Sequence, residues 1–202
     1  MPSLAQVDKE LRRRNLLDAA WRCVAGKGFG DLTVDDVCEE AGVSKGSFYG
    51  YFESKQALLL GLLDDDAAAL EARIAEVEAS RASGRARVEG FVRAMLQRGE
   101  DAARTQLLAD LWSNVSADAA LQKRFSETVR RRRMLLRSWI EEATAAGELR
   151  EVPANALAAI LLALGDGLML HASIDPAGFQ WRNVRRVLGM LLEGLTPGVD
   201  GD

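Results

Sequence analysis

The stretch TVDDVCEEAGVSKGSFYGYFESKQAL, residues 33–58, decides the fold. Thr33 is a natural helix N-cap, and Asp36 stands three residues on, where its carboxylate can reach back to the amide of the cap as in a capping box. These residues open a short helix over 33–41. Gly42 then supplies the positive φ that ends it, Val43 can plug inward, and Ser44 can cap a further helix, KGSFYGYF (45–52). Helix, tight glycine turn, helix is a helix-turn-helix pattern: the second helix can lie in a DNA major groove while the first braces it across the phosphate backbone.

Working outward, a helix from about Lys9 to Ala25 precedes this unit, with Leu11, Leu17, Ala20, Trp21 and Val24 at helical spacing, and GKGFG (26–30) closes it. Downstream, ESK (53–55) restarts a long helix over 56–80, and SGR (83–85) breaks it. Further helical segments read as Val88–Arg98, Arg104–Val115, Asp118–Ala146, Ala154–Ala172 and Trp181–Leu195. Gly147 ends the longest, Pro153 suits the first turn of the next, and DPAG (175–178) separates the last two. No alternating run of strand length interrupts them. The chain is expected to be all-α, with about nine helices in two lobes.

Composition narrows the function. The 202 residues carry 26 Lys+Arg against 30 Asp+Glu, a net charge of −4, so the chain as a whole lacks the basic excess of a nucleic-acid binder. Residues 1–60 alone hold 8 basic and 9 acidic side chains. Attraction to phosphate must therefore come from placement rather than bulk charge. Cys23 and Cys38 are too few for a disulfide framework, which fits a reducing cytoplasm. The N-terminus lacks the apolar core of a signal peptide, and the charge-free apolar stretch 153–165 falls short of the roughly 20 residues that span a bilayer. One histidine, His171, and no Cys/His pairing leave the usual catalytic and metal-binding constellations missing, and GKGFG follows no strand as a dinucleotide loop would. No enzyme, metal or cofactor is expected. His171 reads as an interface residue.

Residues 9–60 resemble the DNA-binding domain of the TetR family of bacterial transcriptional regulators. The matching run is VSKGSFYGYFESKQALL (43–59), preceded by the phenylalanine and threonine of GFGDLTVDDVCEEAG (28–42). The resemblance implies that Thr33, Tyr49 and Lys55 touch phosphates and that Lys45, Gly46 and Ser47 face base edges or the adjacent backbone. Ser44 adds a hydroxyl at the helix start. Tyr51, a further DNA-binding candidate, stands where the family often has histidine, and Gly50 where a larger side chain is usual. Phe48 and Phe52, four apart, read as core. Arg12, Arg13 and Arg14 are available either to steer phosphate or to form a solvated face.

The resemblance further implies a DNA-binding domain over 1–55 and an effector-binding and dimerisation domain over 56–202. In the last helix Val184, Val187, Leu188, Leu191, Leu192 and Leu195 form an apolar stripe, and the preceding helix is apolar nearly all round, with Leu157, Leu161, Leu164 and Leu168 on it. Core on one side and a second copy on the other account for both, giving a two-fold seam that matches a palindromic operator. Candidate effector contacts are Phe91, Met95, Leu108, Leu111, Trp112, Phe125, Trp139 and Met169. Arg132 falls inside the apolar stripe of its helix, so it is expected to point inward and meet an acidic side chain or an anionic ligand. The partners expected are double-stranded DNA, a second copy and a small-molecule effector, with no membrane. The output is repression released by the effector; the alternative is a helical interaction protein, or a regulator not controlled by a small molecule.

Overall fold

The structure, a computed structural model, describes residues 3–115 and 119–197, with the side chains of 111–115 and 120 outside the description. Among the described residues there are nine helices: α1 (Leu4–Asp31), α2 (Val34–Ala41), α3 (Lys45–Tyr49), α4 (Lys55–Ala79), α5 (Gly84–Gly99), α6 (Ala102–Val115), α7 (Ala119–Ala145), α8 (Ala154–Ile174) and α9 (Trp181–Glu193). The protein is all-helical.

Local chemistry sets the boundaries. The Thr33 side chain accepts from the Asp36 amide while Asp36 Oδ2 accepts from the Thr33 amide at 2.7 Å, so the capping box is complete. Gly42 sits at φ +67°, a conformation that strains any residue with a Cβ, and the Val43 amide returns to the Cys38 carbonyl. Ser44 caps α3 and Ser54 caps α4. Several boundaries differ from the sequence reading, among them the start of α1 at Leu4 rather than about Lys9 and that of α5 at Gly84, capped by Ser83, rather than Val88. The first helix runs to Asp31, across a break at Gly28, because only that residue of GKGFG leaves helical geometry. The reading helix stops at Tyr49 rather than Phe52: Gly50, with its amide drawn to Gly46 and Ser47 carbonyls, closes it, and the chain turns so that Phe52 enters the core.

Two main cores result. In the first, Leu16, Leu17, Ala20 and Val24 of α1 meet Val37 and Cys38 of α2, Phe48, Phe52, and Leu58, Leu59 and Leu62 of α4. Ala103 and Leu107 of α6 complete it, so this core extends into the C-terminal lobe. Fully burying a side chain such as Phe48 contributes about 1.5–3 kcal/mol, which fixes the angle between α2 and α3. In the second core, α5 and α7 pack with α8, centred on Phe91, Leu136, Trp139 and Ile140. The α5 and α7 backbones come close at Gly84, where a Cβ would lie 2.6 Å from the Trp139 carbonyl oxygen. A smaller cluster, Leu108, Leu121 and Met169, links α6, α7 and α8. The helix α8 is long and apolar enough to cross a membrane by length and composition; one side of it packs against α5, α6 and α7.

Candidate functional site

Two regions carry candidate chemistry: the outer face of α2–α3 and a cavity in the C-terminal lobe. On the first, Phe48 is fully buried and anchors α3 from beneath. That anchoring leaves Ser44, Lys45, Gly46 and Tyr49 exposed on the opposite side, with Ser47 half-buried. Tyr49 is 53% exposed and its ring stands edge-on to Phe48, centroids 5.4 Å apart, so the hydroxyl projects from a braced ring. Gly46 has no side chain to hold a partner surface away. Thr33 is exposed at the start of α2, its hydroxyl also donating to Asp36 Oδ2 at 2.7 Å.

Lys55 and Tyr51 are placed differently. Lys55 Nζ donates to the Gly30 carbonyl at 2.7 Å and lies 4.9 Å from the Phe29 ring centroid, tying the start of α4 to the end of α1. One of its three N–H groups is thereby used, and the rest remain for phosphate. Tyr51 is half-buried against the first core.

The acids beside the reading face are answered from within. Lys27 Nζ pairs with Asp36 at 2.7 Å, Arg22 with Glu40, and Lys45 with Asp35 at 2.7 Å. Lys27 and Thr33 together hold the Asp36 carboxyl down to about 2, and Asp35 pushes the Lys45 ammonium up. Three of the acids of 31–40 are thus neutralised locally, which lets an acidic segment stand beside a phosphate backbone. The arginine triplet has neighbours of its own: Arg12 pairs with Asp8, Arg13 lies 5.2 Å from the Phe52 ring centroid, and Arg14 pairs with Asp18 and Asp65, with the Arg12 and Arg14 side chains more than half exposed. Both cysteines are free, and burial raises both thiols, the reverse of an activated nucleophile.

The cavity, of about 90 Å³, lies among α4, α5, α6, α7 and α8. Of the residues expected from sequence, Met95, Leu108, Phe125 and Arg132 line it. Phe91 and Trp139 pack into the second core and Met169 into the small cluster, because each points to a helix–helix seam rather than to the gap. Leu111 and Trp112 lie outside the described side chains. Arg132 does point inward and meets an acidic side chain: its Nε donates to Glu71 of α4 at 3.0 Å. Burial and the nearby Arg98 draw its pKa down.

Sequence reasoning missed most of the polar wall. Asp66, 3% exposed, accepts from Arg98 and from Arg104, the latter at 3.2 Å. Arg124 pairs with Asp64, and Asp166 of α8 faces the same space. The available signal was the place of Asp66 in the triplet Asp64-Asp65-Asp66, four residues after Leu62 and four before Leu70, which puts it on the buried face of α4. Among the described residues no group of three or more His, Cys, Asp or Glu could hold a metal.

The nominated interface residues divide. Leu161 and Leu188 are buried, and Leu157, Leu168, Val184, Leu192 and Leu195 pack against the second core. Leu164, Val187 and Leu191 are exposed, joined by Ile160 and Met190, which sequence reasoning left out. His171 is exposed.

An all-helical chain with an exposed helix-turn-helix and a separate cavity lobe is the architecture of a one-component DNA-binding regulator. Residues 16–62 match the model of the bacterial regulatory proteins of the tetR family, and residues 84–197 match that of the BetI-type transcriptional repressor C-terminal region. The chain belongs to the TetR family of DNA-binding transcriptional regulators. The HTH-type transcriptional regulator YfiR of Bacillus subtilis (strain 168) is 27% identical over 180 residues, 85% of this chain and 84% of that one. A TetR transcription regulator from Haloarcula marismortui shares the fold at TM-score 0.81 and 21% identity, covering 93% and 100% of the two chains. A transcriptional regulator from Saccharomonospora viridis, solved in complex with choline, does so at TM-score 0.79 and 24% identity, covering 90% and 95%.

Proposed function

We propose that this protein is a homodimeric repressor that reads a palindromic operator through α3 and is released from it by a small molecule bound in the C-terminal cavity. Residues 1–55 form the DNA-binding unit in this reading, and 56–202 the effector-binding and dimerisation unit. The observation that carries it is the reading face: Lys45, Gly46 and Tyr49 stand exposed on one short helix anchored by Phe48, flanked by Thr33 and Lys55. Hydroxyls and ammonium groups there can donate to phosphates, and Ser44, Lys45 and Ser47 can hydrogen-bond base edges. The operator is reached in the cytoplasm.

Dimerisation is supported by the exposed apolar set on α8 and α9: Ile160, Leu164, Val187, Met190 and Leu191. Large neighbouring apolar side chains on two helices mark a surface to be covered, and a second copy brings two reading heads into two-fold register.

Coupling to the cavity is supported by α6. Its Leu108 lines the cavity while its Leu107 enters the first core, and the Phe29 amide donates to Asp110 at 3.0 Å. Arg104 of the same helix reaches Asp66 on the cavity wall and places its guanidinium 5.5 Å from the Trp21 ring centroid on α1. A ligand that favours one arrangement of α6 shifts the reading head by its differential affinity for the two states.

The test is selection of bound duplexes from a random DNA pool, comparing the wild type with a Lys45→Ala, Tyr49→Phe double variant. The second change removes only a hydroxyl and keeps the ring on Phe48. A palindrome enriched by the wild type and lost by the variant is the expected result; a variant that enriches the same site equally well overturns the reading-face assignment. The recovered duplex then serves as the probe for a small-molecule release screen.

A further inference from the structure

On α4 the residues Asp66, Ala69, Leu70 and Arg73 follow one another at spacings of three, one and three, which sets them in a row on one face. Opposite that row stand Gln97 near the end of α5, Asp101 at the corner and Arg104 in the first turn of α6, and a groove of about 210 Å³ runs between the two sides. Charge in it does not balance. Asp66 accepts from Arg98 and from Arg104 Nη1, the latter at 3.2 Å. Asp101 accepts from the Ala103 and Arg104 amides through Oδ1, at 3.0 and 3.3 Å, and from Arg104 Nε through Oδ2 at 3.0 Å. Arg73 donates only to Gln97 Oε1, at 3.0 Å, and forms no ion pair among the described residues. Three guanidinium groups thus stand with two carboxylates that are already engaged, and Arg73 Nε and Nη2 and Arg104 Nη2 are left to donate. We infer that this groove is a second ligand site, separate from the cavity, for a small monocarboxylate: its carboxylate lies on Arg73 and the free edge of Arg104, and its short chain lies on Ala69, Leu70 and Ala94.

The chemistry follows from what is unmatched. A guanidinium edge takes a carboxylate through two parallel N–H···O bonds, so the planar group fits the donors that remain. One negative charge completes the balance; the second charge of a dianion would have no cation of its own and would face Asp101. A cation would meet the excess of arginines, and an uncharged ligand would leave that excess as it is. No existing pair has to break, so no buried carboxylate is stranded when the ligand arrives. Arg73 is exposed, but the side chains of Arg104 and Arg98 are only 27% and 11% exposed, so a carboxylate that reaches Arg104 is screened less than a surface pair. Size agrees: a water takes about 10–15 Å³ of such space, which leaves room here for roughly 14–21 water-sized groups, more than a carboxylate with a chain of about three carbons needs. Occupied in this way, the site bridges α4 to α6 at the residue whose guanidinium lies 5.5 Å from the Trp21 ring centroid on α1.

The test is titration calorimetry on the full chain with three probes: butyrate, its uncharged isostere butyramide, and inorganic phosphate. Each is run on wild type and on Arg73→Gln, which removes the unmatched charge while breaking no ion pair, so the variant should keep the melting temperature of the wild type without ligand. The expected result is binding of butyrate, weakened at least about tenfold both by the change to butyramide and by Arg73→Gln. Butyrate bound equally well by the variant is bound elsewhere and overturns the site. Equal binding of butyramide overturns the role of charge, and phosphate bound more tightly than butyrate overturns the monocarboxylate. No heat from butyrate at millimolar concentration overturns the inference outright. The reading face and the cavity are judged separately, by the duplex selection and the release screen.

Discussion

The reading head and the cavity lobe both contain aspartates paired with cations, and they use them in opposite ways. Lys45 and Asp35 meet at 2.7 Å with side chains 62% and 65% exposed, where water screens them and partners exchange freely. Arg98 and Asp66 meet with side chains 11% and 4% exposed, alongside Arg104. There the ions have given up hydration, and each depends on the other. A loose pair leaves Lys45 ready to turn to phosphate in the proposed reading; a tight pair holds the shape of the wall around the gap. Substitutions should follow that division.

The largest effect is expected at Asp66. Asp66→Ala strands Arg98 on the cavity wall and leaves Arg104 with Asp101 alone, and removing one partner of a buried pair costs about 3–5 kcal/mol. Urea unfolding at fixed protein concentration measures it. A loss below about 1 kcal/mol would place Asp66 with the surface pairs and erase the contrast. On the head, Thr33→Ala removes the cap of α2 and half of its capping box, at about 1 kcal/mol. Because Thr33 is also a proposed phosphate contact, operator affinity should fall by more than the stability loss explains, and Thr33→Ser should restore both.

The depth of these regions also decided what could be read from sequence. Thr33, Asp36, Gly42 and Ser44 act through hydrogen bonds and backbone conformations that span three or four residues, so they were legible, as was Arg132, whose inward direction followed from its place between Val129 and Leu136. Asp66 was hidden because its meaning lies in Arg98 and Arg104, 32 and 38 positions away. Phe91 and Trp139 look as much like pocket lining as Phe125 does, since an aromatic at helical spacing does not reveal whether it meets a gap or another helix. The α9 stripe was visible but wider than one face: Leu188 went to the core and Leu191 to the surface. The early stop of α3 depended on Phe52 reaching the core of α1 and α4, a long-range contact.

The smallest change in stability, and the sharpest test of the loose pair, is Asp35→Asn. An exposed ion pair contributes little, so unfolding should move by less than about 0.5 kcal/mol. Operator binding should move further. Freed of Asp35, Lys45 meets phosphate without first breaking a bond, so affinity should rise at low salt, with the gain fading as the Debye length contracts to about 8 Å near physiological ionic strength. Lys45→Ala gives the complementary reading: two phosphate contacts fewer per dimer should flatten the slope of log K against log salt by about 1.8. If Asp35→Asn weakens binding instead, Asp35 is orienting Lys45 rather than restraining it, and this surface pair shares the positioning role of the buried one at Asp66.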